Sequence, residues 1–365
     1  SEGFFWPSYC SQIRIYFREE ALVALIPFHK PTLRRKDMDA VLQTMVDERI
    51  GPGERKNAFL KQFCELIGAK GGIALRSYVD GLCCALQACE LEGKAKIGAS
   101  ILSPSWYQSV VESMGYELLC GDIDPEHGCL AQEEAQRLVE QGCSALLIHL
   151  PMCQIPITCD YKQLGVPVIE DITQSLASEY EDRRAGSFGD LILCAFEEDC
   201  IVSTGGGAVL AYTGETHQKS VKAFAPQVRP YIELPDMNAA LGMIQLATLG
   251  EQLAKRRELY ALFAKSLLKT PHRIFGIGNI DFLPNGYSFC VALDSKPEDA
   301  IKFANKYQVS AKKTFTDTLA MHAGDRFDLY PKAIPLYLRA LTLPLYPFLK
   351  QGEVELLIKV ISHLS

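Results

Sequence analysis

Between residues 72 and 196 short β-like apolar runs alternate with amphipathic stretches, and this restricts the fold more than any other feature of the chain. The runs are Gly72 to Leu75, Lys96 to Leu102, Glu117 to Asp122, Ala145 to Leu150, Pro167 to Glu170 and Leu191 to Phe196. Alternation of this kind predicts a mainly parallel sheet covered by helices. Ahead of it the apolar spacing from Asp37 to Ile67 is helical, and Gly51-Pro52-Gly53 divides that stretch into two helices. The second carries Phe59, Phe63 and Ile67 on one face. Near Gly250 the pattern changes to a long helix, Glu251 to Leu268, then a strand at Tyr287 to Leu293. A final helix presents Val354, Leu357, Ile358 and Ile361 on one face. The predicted organisation is an N-terminal extension over 1–25, a large domain over 26–249 and a smaller C-terminal α/β domain over 250–365.

Charge and cysteine usage narrow the setting. The 37 basic residues are scattered among 44 acidic ones and form no stripe, which argues against a nucleic-acid partner. Thirteen cysteines are an odd number, and many lie in apolar runs such as Leu82-Cys83-Cys84-Ala85-Leu86, so they read as reduced core thiols of a cytoplasmic protein. No Cys-x-x-Cys occurs and the histidines show no paired spacing, so no metal site is expected. The aromatic stretch from Phe4 to Phe17 is interrupted by Arg14 and lacks the length of a membrane segment. It reads as an extension packed on the domain or on a neighbouring subunit.

A series of motifs runs in order along the chain: Ile26-Pro27-Phe28-His29-Lys30-Pro31, Glu170-Asp171-Ile172-Thr173-Gln174-Ser175 and Arg184-Ala185-Gly186-Ser187-Phe188-Gly189-Asp190. Gly205-Gly206-Gly207-Ala208-Val209 follows, then Asp236-Met237-Asn238-Ala239-Ala240-Leu241-Gly242-Met243-Ile244-Gln245-Leu246 and Leu343-Pro344-Leu345-Tyr346-Pro347. In this order and spacing the chain resembles the DegT/DnrJ/EryC1/StrS family of pyridoxal-phosphate sugar aminotransferases. The resemblance implies the aspartate-aminotransferase-like fold (PLP fold type I), a large domain with a mainly parallel sheet plus a smaller α/β domain. It also implies a homodimer, a sugar-nucleotide ligand and pyridoxal phosphate as cofactor.

Carried over residue by residue, the resemblance puts Asp171 against the pyridine nitrogen, where an acid keeps the ring protonated as an electron sink. Gln174 then falls by the ring oxygen, and Trp106 near the aromatic that stacks on the ring. Asp171 as the cap of a following helix, and Trp106 as ordinary core, are the plainer alternatives. The phosphate cradle matches Ser77-Tyr78-Val79, where Tyr78 replaces a glycine and Val79 a hydroxyl donor. The Schiff-base lysine falls on Cys200 counting from Asp190, or on Asp199 counting back from Gly207, and the phosphate serine falls on Ala195 or Cys194. No lysine occurs between Lys162 and Lys219. Glu197, Glu198 and Asp199 either bring negative charge to the loop that would meet a phosphate dianion or, as is commoner for a charge run, point to solvent on a remodelled loop. The partner-subunit asparagine matches Tyr231, with Arg229 beside it, and Lys312 and Lys313 fall near the sugar-nucleotide contacts or on the solvated surface.

Only an amine forms the imine and then shuttles the substrate proton. The expected protein is therefore a divergent, non-transaminating homologue acting as a binding, regulatory or assembly subunit, with any pyridoxal phosphate held non-covalently. The competing class is an enzyme that still works, either on non-covalently bound pyridoxal or pyridoxamine phosphate or on a sugar nucleotide by other chemistry.

Overall fold

In the computed structural model, residues 26–223 and 227–364 are described, and the expected N-terminal extension lies outside them. Seven strands form the main sheet: β1 (Gly71–Leu75), β2 (Lys96–Ser100), β3 (Glu117–Gly121), β4 (Cys143–His149), β5 (Val168–Asp171), β6 (Leu191–Ala195) and β7 (Ala208–Tyr212). Their order across the sheet is β1-β7-β6-β5-β4-β2-β3, and β2 through β6 pair in parallel. β7 alone runs against both neighbours. The expected strands all form, within two residues at their ends. β7 was missing from the sequence reading: Gly205, Gly206 and Gly207, all at positive φ, turn the chain directly back beside β6 without the helix that marks a parallel crossover.

The two expected N-terminal helices are α1 (Arg35–Val46) and α2 (Glu54–Ile67), with Phe59, Phe63 and Ile67 buried. Helices α3 (Tyr78–Ala88), α4 (Trp106–Ser113) and α5 (Gln132–Glu140) connect the first strands, so α3 and α4 both begin beyond the C-terminal ends of β1 and β2. That edge is where open α/β sheets collect ligand groups.

α6 (Asp236–Ala247) is a strut whose motif is spent on structure. The Asp236 carboxylate accepts backbone N–H bonds from Gly53 at 2.9 Å, Arg55 at 3.2 Å and Lys56 at 2.8 Å, so it caps the start of α2 from a distant point in the sequence. Gln245 clasps the Ser203 backbone at 2.8 Å through both its oxygen and its nitrogen, and Asn238 Nδ2 donates to the Thr204 carbonyl at 2.7 Å. Gly242 lies where a Cβ would fall 2.5 Å from the Phe59 ring, so only glycine lets α6 approach α2 this closely.

A second sheet, ordered β8-β9-β11-β10 and antiparallel, is made of β8 (Arg273–Ile274), β9 (Phe289–Ala292), β10 (Lys312–Lys313) and β11 (Ala340–Leu343). Its core includes Phe263 of α7 (Leu249–Leu267) and Leu357 and Ile361 of the last helix, Gln351–Ile361. Ile26 pairs with Val309 and is buried in this same core.

Glu170, next to last in β5, is fully buried and holds in place the loop that follows the short hairpin Glu179–Tyr180 with Arg183–Arg184. Its carboxylate accepts from Gly186 N at 2.7 Å and from Phe188 N and Gly189 N at 2.8 Å. Burial outweighs these three bonds and pushes its pKa up to about 7. The folded value lies above the unfolded one, so the stability this group contributes is complete below the ordinary carboxylate range and is lost as pH rises through about 7. Denaturant titrations should find wild type losing about 3 kcal/mol by this route from pH 4.5 to pH 8. Glu170→Gln should flatten that part of the profile; an unchanged slope in the variant would contradict the assignment.

Candidate functional site

β5 ends on Asp171, and the strand register sets His149, the last residue of β4, directly beside it. Asp171 has no exposed surface. Its Oδ2 receives hydrogen bonds from the hydroxyls of Tyr78 and Tyr107 and faces Nδ1 of His149 at 3.2 Å. The anionic partner assigns the proton to that nitrogen. Its Oδ1 receives the Thr173 backbone N–H at 3.0 Å and the Thr173 hydroxyl at 2.6 Å, an Asx-type turn rather than a helix cap. A carboxylate has about four lone-pair sites, and here five donors share them. Burial by itself raises the Asp171 carboxyl, but the His149 hydrogen bond and charge, with Thr173 and Tyr107, outweigh it and hold it below its ordinary value. Burial and the Asp171 charge push both tyrosine hydroxyls far up, so they remain donors.

The two carboxyls at the end of one strand are thus driven apart. Glu170, met by backbone alone, moves up, and Asp171, met by an imidazole and three hydroxyls, moves down.

Beside this cluster opens a cleft of about 250 Å³. Tyr78, Trp106, His149 and Gln174 contribute one part of its wall, and Glu197, Asp199 and Cys200 another. Asp171 does not reach the cleft; Tyr78, His149 and Thr173 stand between. The Trp106 ring meets Tyr78 at 4.6 Å between centroids and an interplanar angle of 64°, and Tyr107 at 4.8 Å and 85°. The Gln174 side-chain oxygen accepts the Met152 N–H at 3.0 Å. Ser77 does not line the cleft: its hydroxyl caps α3, accepting from Asp80 N at 3.0 Å.

On the acidic loop Asp199 accepts the Tyr287 hydroxyl at 2.8 Å, while Glu198 turns outward to His29 at 3.8 Å. Burial, then the Asp199 charge, raises the Glu197 carboxyl. Burial also holds the Cys200 thiol well up, which keeps it protonated. Lys312 lines the cleft with its ammonium 4.2 Å from the Phe28 ring centroid, whereas Lys313 pairs with Glu298. Tyr231 is 78% exposed and Arg229 donates to the Lys222 carbonyl, both away from the cleft.

The structure therefore gathers Asp171, Gln174, Trp106, Asp199 and Cys200 at one place and leaves Ser77 out of the cleft lining. Sequence reasoning missed His149, Tyr107, Thr173 and Tyr287. His149 carried a usable signal, a polar residue near the end of an apolar run neighbouring the Asp171 strand. Tyr107 carried none, since an aromatic after Trp106 reads as core.

A mainly parallel sheet with a carboxylate at its C-terminal edge and a second antiparallel sheet is the arrangement of pyridoxal-phosphate aminotransferases. The structure matches TlmJ, an aminotransferase from Streptoalloteichus hindustanus, with a TM-score of 0.82 over 93% of this chain and 98% of that one, at 19% identity. It matches the PLP form of Spr1654 from Streptococcus pneumoniae with a TM-score of 0.83 over 93% and 98%, at 16% identity. Within that fold class the chain belongs to the DegT/DnrJ/EryC1/StrS aminotransferase family, whose model matches residues 31–362. It is 21% identical to the spore coat polysaccharide biosynthesis protein SpsC of Bacillus subtilis (strain 168), over 93% of this chain and 97% of that protein. Among the described residues no helix is long and apolar enough to cross a membrane.

Proposed function

We propose that this chain is a non-transaminating member of its family, a cytoplasmic homodimer that keeps the fold and a ligand cleft and serves as a binding or assembly subunit. The sugar-nucleotide class implied by the family is the ligand we assign to the cleft. The observation that carries this reading is the saturation of Asp171 by the chain's own donors. A pyridinium nitrogen finds no free acceptor site on that carboxylate. Pyridoxal phosphate therefore does not fit the residues present.

Three further features support the reading. No lysine lies between Lys162 and Lys219, and neither Asp199 nor Cys200 forms an imine. Glu197 and Asp199 face the cleft, where two like charges about 4 Å apart repel by roughly 4 kcal/mol at an effective dielectric of 20. The Ser77 hydroxyl is committed to the α3 cap.

Titrated with pyridoxal phosphate, the purified protein should develop no visible aldimine band, and borohydride should leave no reduced adduct. Lys312, as the lysine of the cleft wall, is the residue to check by peptide mapping. An adduct there, or on any other cleft-facing lysine, would overturn the reading.

The dimer is supported by an apolar stripe on α1. Met38, Leu42, Met45 and Val46 are 56%, 56%, 54% and 74% exposed, one face of a helix whose other side packs on α6. Sedimentation at micromolar concentration should give a dimer, and Leu42→Glu with Met45→Glu should give a folded monomer. Monomeric wild type would contradict the assembly.

A further inference from the structure

Strand β8 is an edge of the second sheet, with β9 on one side and no strand on the other. The Phe275 N–H donates to the Cys290 carbonyl at 3.0 Å and Arg273 lies opposite Ala292, so by antiparallel alternation these are the bonded pairs. Ile274, between them, turns its own N–H and C=O to the free edge. Beside it opens a groove of about 640 Å³ that shares no residue with the Asp171 cleft. A second edge strand, Phe282–Leu283, which pairs on one side with Glu179–Tyr180, lines the same groove, as do Tyr260, Ala261 and Ala264 of α7. Leu268 and Ile280 also line it and are 82% and 92% exposed. Apolar side chains left this open beside an unpaired strand edge mark a surface that takes a partner.

The groove's charge is opposite in sign to that of the chain. On a protein of net charge -7 it is lined by Arg257, His272 and Arg273 and, among the described residues, by no carboxylate; Asp281 and Asp294, close by in sequence, are not part of the wall. Burial lowers the His272 pKa, which leaves the two arginines as the groove's charge. Arg257 donates to the Pro284 and Ala177 carbonyls, each at 3.1 Å, bonds that fix the guanidinium without neutralising it. We propose that this groove docks an extended, acidic segment of a partner protein, which adds as a strand along β8 and sets alternate apolar side chains against α7. The Ile274 backbone supplies the main-chain bonds, the apolar wall receives every second side chain, and the arginines select carboxylates on the segment. The chain's own Ile13-Arg14-Ile15-Tyr16-Phe17 also alternates, but it brings Arg14, with Arg18 just beyond, to a groove that already holds two arginines.

The test is fluorescence polarisation of the full chain with labelled nonapeptides in which Val alternates with Glu or with Lys. The Glu peptide should bind at least tenfold more tightly than the Lys peptide, and Arg273→Glu, a change at an exposed side chain, should erase or reverse that preference. N-methylation of one alternate set of peptide amides should abolish binding and methylation of the other set should spare it, because one set alone faces β8. Ile280→Ser, checked for a cooperative melt, should weaken the Glu peptide at least fivefold. Failure of the Glu peptide to bind, equal binding of the two peptides, or indifference to which amides are methylated would overturn the proposal. A tenfold gain in peptide affinity on Ile15→Glu with Phe17→Glu would give the groove to the chain's own segment. Loss of a dimer on Ile280→Ser would give it to a second copy, and either result would equally overturn the partner assignment.

Discussion

A carboxylate taken out of water must be met by donors, and an unpaired one is penalised by several kcal/mol. This chain buries several, and its architecture is organised by how each is satisfied. Asp236 is met by three N–H groups at the start of α2 and so ties a helix near residue 54 to one near 236. Glu170 is met by three N–H groups of the Gly186 to Gly189 loop and fixes that loop under the sheet. Asp171 is met chiefly by side chains, from four different residues, and its acceptor sites are all taken within the chain.

The motifs that place the chain in its family persist for reasons separate from chemistry. Gly242 is required by Phe59, Gln245 and Asn238 pin the turn after the acidic loop, and Gly205 to Gly207 adopt backbone angles that other residues resist. None of these touches a reacting group. A chain under pressure to keep its fold retains them whether or not the site turns over, whereas the positions that meet a cofactor are free to change. Tyr78 does structural work, because its hydroxyl serves the buried Asp171 carboxylate.

Much of the fold was legible because the apolar runs and amphipathic stretches of an α/β sheet announce themselves at short range. β7 was not, since Ala208 to Tyr212 follows β6 through an irregular loop ending in Gly205 to Gly207, with no helix between the two strands. The strand-end aspartate and the absence of lysine between Lys162 and Lys219 could be read directly from the sequence. The closure of the site could not: Tyr78 stood out as a block to phosphate, yet its bond to Asp171 joins residues 93 apart in sequence. The resemblance placed Ser77 at the phosphate, but its hydroxyl makes a local cap to Asp80 N; Lys312 read as solvated or near the sugar nucleotide, and its ammonium lines the cleft over Phe28.

The central claim is that the Asp171 carboxylate is closed by the chain itself. A crystal structure of the wild-type protein grown with excess pyridoxal phosphate tests it most directly. The account predicts the Tyr78 and Tyr107 hydroxyls on Asp171 and no ring against Trp106. A pyridine ring bonded to Asp171, with Tyr78 swung out of the cleft, would contradict it.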